Sequence, residues 1–337
     1  MSGFEFAVIK SSPSKEYVET TTTRPALTGD EVYIEITHSG VCGTDQHFRG
    51  VDMVLGHEGI GVIKAIGPDV KSLKVGDRAG WGWTTEVCGV CEQCVEGHYA
   101  YCPFRKEFGS QASDQGSFAH GAVWKEPLIY KLPDALPSDV AAPLMCAGIT
   151  VYSPLAEFGL KSSDVVGVVG IGGLGHLAIQ FANKMGCEVV ALSQTDSKKE
   201  EAMKLGAHHF IATKGVAELS SPKKINHLLV TTSQMPDWAQ YASILHPRVQ
   251  IFPLTVTDFE ANLSCNYMRF LLNGWKIIGN VGAPKIVFAQ MLEFAALHGI
   301  RPVIEKFPLS KQGVIDAMQK LDDGKMRYRG VLYAEGV

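Results

Sequence analysis

The sequence predicts an α/β protein of two domains, and three observations carry that expectation. The 337 residues are 46% hydrophobic and 20% charged, an ordinary globular composition with length for about two domains. Up to about residue 130 the chain reads as short strands broken by glycine, with Val32, Ile34 and Ile36 alternating with Tyr33 and Glu35. From Asp164 onward apolar strands alternate with helical patterns, which implies βαβ units and a parallel sheet covered by helices on both faces.

In chain order, Gly59–Ile66 and Lys74–Ala79 are further predicted strands, and the N-terminal part is expected to form a compact β-rich barrel. Ser138 is an N-cap candidate for a helix reaching Phe158, and a domain boundary is placed near 150. Strands then follow at Asp164–Gly170, Glu188–Leu192, His227–Thr232, Arg248–Leu254 and Lys276–Gly279. Helices are expected at Leu174–Lys184, Ser197–Leu205, Asp237–Ile244, Lys285–Leu297 and Lys311–Leu321, with a last strand at Gly330–Ala334. There is no internal repeat and no low-complexity linker.

Charge removes some function classes. With 31 Lys plus Arg against 35 Asp plus Glu, the net charge of -4 gives no general attraction to nucleic acid or to an anionic membrane surface. The N-terminus, MSGFEFAVIK, lacks the pattern of a secretory signal, so a cytoplasmic location is expected. The most apolar stretch, Val165 to Met185, is broken by glycines, an Asn and a Lys and suits a strand-turn-helix unit better than a membrane span. Eight cysteines in such a chain point to metal binding or reactivity before disulfides.

Two motifs are legible from spacing. Cys88-x2-Cys91-x2-Cys94-x7-Cys102 lets a tight loop wrap four thiolates around one tetrahedral zinc, a closed and hence structural shell. Spacing alone does not name the metal, and an iron–sulfur cluster or reduced thiols are the alternatives. The second motif, Gly170-Ile171-Gly172-Gly173-Leu174-Gly175, satisfies G-x-G-x-x-G between an apolar strand and a helix. There a pyrophosphate can approach the backbone and meet the N–H groups of the helix start, so a dinucleotide is expected; a glycine-rich turn without ligand is the bland alternative.

An NAD-selective site would offer Asp or Glu at the end of the second strand. This chain has Leu192-Ser193-Gln194-Thr195, followed by Lys198 and Lys199. The hydroxyls of Ser193 and Thr195 can donate to a 2′-phosphate and Lys198 can neutralise it, so NADP is favoured. Asp196 argues mildly the other way, and the lysines also fit a solvated helix face.

Cys42, His57 and Cys146 form a third set, too dispersed for spacing to identify. Their neighbourhoods, GVCGTDQHF, GHEGIGVI and LMCAGITVY, together with GIGGLGHLAIQFANKMGCEV and the terminal DGKMRYRGVL, resemble the zinc-dependent medium-chain alcohol dehydrogenases. The resemblance is greatest to their cinnamyl alcohol dehydrogenase-like branch of NADPH aldehyde reductases and runs over nearly the whole chain. It implies a GroES-like β-barrel catalytic domain at 1–150, completed by 285–337, and a Rossmann domain at 151–284, with catalysis in the cleft between them. It further implies a catalytic zinc on Cys42, His57 and Cys146, with Glu58 behind the metal and Asp45 orienting the histidine. Thr44 and His47 would relay the proton, and Arg329 is a candidate partner for the cofactor pyrophosphate.

Two zinc ions per chain and NADP(H), a small aldehyde or alcohol substrate, and a homodimer or homotetramer are the corresponding expectations. An NAD-dependent polyol or secondary-alcohol dehydrogenase is the nearest alternative, and a non-catalytic zinc or redox-sensing module a more distant one. Two departures from relatives stand out: Gly43 replaces the Arg or His that commonly follows the first zinc cysteine, and the stretch Phe48–Gly56 is short. Trp81 and Trp83 occupy positions that line the pocket in relatives, which suggests an aromatic or long apolar substrate; core tryptophans are the competing reading. Cys187 and Cys265 read as small hydrophobes, and His98, His120, His208 and His209 as surface residues.

Overall fold

Glu31–Val41 is the hub of the first unit, because Val32, Ile34 and Ile36 on one face are essentially inaccessible and each edge of the strand finds partners. It pairs antiparallel with Gly59–Ile66, with Gly121–Lys125 and with Arg329–Tyr333, so the C-terminal strand completes a sheet begun by N-terminal sequence. The computed structural model describes residues 3–109, 113–257 and 260–336. Described residues within 1–149 and 282–337 form one compact unit, and those within 150–281 form the other.

In the first unit the hub belongs to a seven-stranded sheet, and a three-stranded sheet stands beside it. Their shared core includes Val8, Ile34, Val54, Leu55, Trp81, Phe118 and Leu332. Trp81 is fully buried with its ring 5.2 Å from that of Trp124, and Gly59 leaves it room: a Cβ there would lie 2.3 Å from the indole. The chain therefore accepts the conformational cost of glycine in a strand to seat a large ring.

The second unit holds six parallel strands, in spatial order His209–Ala212, Glu188–Ser193, Val165–Val169, Ile225–Val230, Leu245–Pro253 and Lys276–Ile277. Counted along the chain this is 3-2-1-4-5-6, a doubly wound Rossmann sheet whose order reverses between its first and fourth strands. The strands Val165–Val169 and Ile225–Val230 are apolar nearly throughout, as burial on both faces demands.

The periodic helices and buried strands lie close to where their patterns put them, and the differences have local causes. The predicted strand Lys74–Ala79 is instead Arg78–Trp81, because Gly76 takes a φ of +92° and Asp77 closes a turn on the Lys74 backbone. The hairpin of Phe4–Ser11 and Tyr17–Arg24 was not predicted: its second strand, YVETTTTR, shows water most of one face and lacks an apolar alternation. The helix expected over Ser138–Phe158 contains a π-helical turn, Leu144–Gly148, directly after Pro143. Among the described residues this stretch, Ser138–Glu157, is long and apolar enough to cross a membrane, yet 78% of its most apolar window is buried inside the protein, as in a core helix.

Candidate active site

Cys42 follows the hub strand and N-caps a one-turn helix, Gly43–His47. So short a helix is not held by its own hydrogen bonds. Asp45 supplies the missing restraint: one carboxylate oxygen accepts the Cys42 N–H at 2.9 Å. The other accepts the Gly56 N–H at 3.2 Å and His57 Nδ1 at 3.0 Å. A carboxylate on Nδ1 assigns the proton to that nitrogen and leaves a lone pair on Nε2. His57 Nε2 is buried and has no hydrogen-bond partner among the described residues.

Cys146 comes to the same place from the π-helical turn, a geometry that often marks functional positions. One ligand atom from each of Cys42, His57, Glu58 and Cys146 lies within 4.8 Å of the others, a donor set suited to zinc. A hydrogen bond from Cys146, together with Arg329 and His57, holds the Cys42 thiol well below its ordinary pKa. Burial of Glu58 raises its pKa to about 7 against the opposing pull of Arg329. Gly40 makes room for this acid, since a Cβ there would lie 1.7 Å from Glu58 Oε2.

Arg329, the candidate partner for the cofactor pyrophosphate, is only 5% exposed, and its Nη2 is paired with Glu58 Oε1. A buried guanidinium needs a counter-ion, and the Glu58 carboxylate provides it.

Cys88, Cys91, Cys94 and Cys102 also bring their sulfurs together. The separations of 3.9 Å for Cys88–Cys94 and 3.6 Å for Cys88–Cys102 are far beyond a disulfide bond. They fit the edges of about 3.8 Å that follow from zinc–sulfur bonds of about 2.3 Å in a tetrahedron.

In the second unit the carboxyl ends of the strands surround a cleft of about 830 Å³ at the point where strand order reverses. Gly170, Ile171, Gly172, Ser193, Thr195 and Lys198 line it. Gly170 has a φ of +91°, and a Cβ on Gly175 would lie 1.9 Å from the Gly170 carbonyl oxygen, so both glycines are required by the turn. Among the described residues nothing lies within 4 Å of a would-be Cβ on Gly172, which leaves the backbone approachable. Gly173 and Leu174 lead into the helix Gly175–Lys184 and do not line the cleft. Lys198 Nζ donates to the Ile171 carbonyl at 2.7 Å, tying the strand-two rim to the glycine loop.

Thr44 is buried, with Oγ1 3.6 Å from Cys42 Sγ, and His47 is exposed at the other end of the same turn. Trp81 is a core residue, as described above. Trp83 instead meets the His57 ring edge-on at 5.5 Å, with Phe108 at 4.8 Å from that ring and Phe48 beside both aromatics. Sequence reasoning missed Phe48, Phe108, Gly40 and the buried Ser39–Ser117 hydroxyl pair, whose Ser117 Oγ accepts the Glu58 N–H. No spacing rule marks these residues, since they meet only through strand pairing.

Comparison with known proteins agrees with this architecture. Residues 28–134 match the alcohol dehydrogenase GroES-like domain and residues 173–297 the zinc-binding dehydrogenase domain. The chain therefore belongs to the zinc-binding alcohol dehydrogenase family, a family of oxidoreductases. Within it the chain is of the cinnamyl alcohol dehydrogenase-like kind. It is 35% identical to the aldehyde reductase AdhA of Synechocystis sp., over 91% of this chain and 92% of that protein. A cinnamyl alcohol dehydrogenase from Sorghum bicolor superposes with a TM-score of 0.86 at 28% identity, covering 98% of each chain. A Helicobacter pylori cinnamyl alcohol dehydrogenase, solved in complex with NADP(H), gives 0.87 at 25% identity, again over 98% of each.

The glycine loop yields a test that separates shape from binding. Gly175→Ala should lower the melting temperature because its Cβ meets backbone, whereas Gly172→Ala should leave melting unchanged and weaken dinucleotide binding, measured by fluorescence titration. Equal effects of both variants on melting would contradict this division.

Proposed function

We propose that the protein reduces aldehydes to primary alcohols with NADPH, reversibly, using a catalytic zinc held by Cys42, His57 and Cys146 and a structural zinc held by the four-cysteine loop. The observation that carries this reading is His57 Nε2, buried without a partner, gathered with two thiols and fixed from behind by Asp45. The balanced reaction consumes one aldehyde, one NADPH and one proton. When bound, the zinc supplies Lewis-acid polarisation of the carbonyl and the dihydronicotinamide supplies the hydride. Thr44 presents the hydroxyl that passes a proton to the nascent alcohol oxygen, and His47, at the exposed end of the same turn, takes the replacement from solvent. Trp83, Phe108 and Phe48 form an apolar wall beside His57 that favours aromatic or medium-length aldehydes.

NADP is supported by the end of the second strand, where the cleft lining offers Ser193, Thr195 and Lys198, with no carboxylate at the Ser193 position to repel a 2′-phosphate. The decisive assay compares the oxidation of NADPH and NADH with cinnamaldehyde, benzaldehyde and hexanal. NADPH should be preferred, and Ser193→Asp should shift the kcat/KM ratio toward NADH by about tenfold or more through charge repulsion. Faster wild-type turnover with NADH would favour the NAD-dependent polyol or secondary-alcohol reading instead.

The two metal sites should respond differently to mutation. Cys146→Ala should abolish turnover and leave one zinc per chain with melting little changed. Cys91→Ser should also lose one zinc and should lower the melting temperature, because a structural metal contributes folding free energy. Metal analysis and calorimetry on both variants check this, and retained turnover in Cys146→Ala would refute the ligand assignment.

A homo-oligomer is proposed from Tyr267, Met268, Leu271 and Leu272, exposed on one short helix that directly precedes the edge strand Lys276–Ile277. Sedimentation should show at least a dimer that Leu272→Glu dissociates; a monomeric wild type would exclude it.

A further inference from the structure

The turn that carries Thr44 and Asp45 is restrained on its inner side by Asp45 and also from outside, by a residue far away in sequence. Gln46 Nε2 donates to Asp322 Oδ1 at 2.6 Å, and Arg49 Nη1 is paired with Asp322 Oδ2. One carboxylate thus takes a hydrogen bond from each side of Phe48, the residue that caps the turn. Asp322 is the last residue of the helix Lys311–Asp322, where the negative end of the helix dipole disfavours a carboxylate. Arg49 is further seated over the Tyr17 ring, 5.6 Å from its centroid, and Tyr17 is buried.

Phe48, lying between the two residues so clamped, packs its ring against Trp83 and Phe108 and covers Gly109, where a Cβ would lie 2.2 Å from it. We propose that Asp322 is a positioning residue: acting through Gln46 and Arg49, it sets Phe48 in the aromatic wall beside His57 and so determines how well the site accepts an aromatic aldehyde. The part concerning substrate rests on the aldehyde-reductase reading; the part concerning the wall does not. The segment after Phe48 is tied to the first strand, through Gly50 N–H to Ser11 Oγ and the Lys10–Asp52 pair, so Asp322 is the anchor that the C-terminal helix adds to the turn itself.

The test uses the full-length, zinc-loaded protein and the variants Asp322→Ala, Arg49→Ala and their combination. Each single change should raise KM for benzaldehyde about tenfold while altering KM for acetaldehyde little, and the double change should be no worse than either alone, as for residues acting as one unit. The exchanged pair Asp322→Arg with Arg49→Asp should restore much of the preference. Independently of turnover, acrylamide quenching of Trp83 fluorescence, taken as the difference from the same protein carrying Trp83→Phe, should increase in the single variants. An unchanged benzaldehyde-to-acetaldehyde ratio and unchanged quenching, with only the melting temperature lowered, would make Asp322 a structural staple and overturn the proposal. If the wild type reduces no aldehyde, the functional reading fails, and the quenching result still decides whether Asp322 positions the wall.

Discussion

The Asp45 carboxylate is the interaction on which the first unit's site depends. It is completely buried, and its two oxygens collect N–H groups from Cys42, Gly56 and His57, three residues on two separate segments. A buried carboxylate is tolerated only when its lone pairs are satisfied, so the cost of burying it is offset only in this geometry. The same three bonds stop the chain after the hub strand, start the one-turn helix and aim His57 Nε2 at the thiols. Because Thr44 and Glu58 adjoin these anchored residues, their placement follows from the same restraint.

A buried charge pair, Arg329 with Glu58, adjoins the same group of residues. Arg329 arrives on the C-terminal strand, next to the hub, and neutralises Glu58, while Ser117 accepts the Glu58 backbone N–H and shares a 2.7 Å contact with Ser39. Sheet register is what makes these meetings possible: Gly330 opposes Val41, one residue before Cys42. A slip by one residue would turn Arg329 to the opposite face and leave Glu58 without its counter-ion. The gathering of Cys42, His57, Glu58 and Cys146 is thus set by strand pairing as much as by the residues' own contacts.

The second unit follows a different logic, in which backbone dominates. Four of the six parallel strands place their carboxyl ends around one cleft, and glycines at 170 and 175 let the first strand turn into its helix without side-chain collision. Ser193, Thr195 and Lys198 stand on the rim of that cleft, the lysine with its ammonium bonded to the glycine loop.

Local pattern alone determined a great deal: the parallel βαβ sheet, from apolar runs and periodic helices; the glycine loop, from its motif and flanks; and the four-cysteine shell, from separations short enough for one loop to close. Cys42, His57 and Cys146 were legible only through the resemblance of their neighbourhoods to a family, since over a hundred positions divide the first from the last. Tertiary structure decided what no local signal encodes. It buried Trp81 and turned Trp83 toward His57, although the two are separated by one glycine, because the chain bends at Trp83 between the strands Arg78–Trp81 and Thr84–Glu86. It gave Arg329 to Glu58 and brought Asp322 to Gln46 and Arg49 across more than 270 residues. Periodicity and motif spacing report contacts made within one element or one loop; which charge meets which carboxylate depends on sheet register and helix packing, and these exist only once the chain has folded.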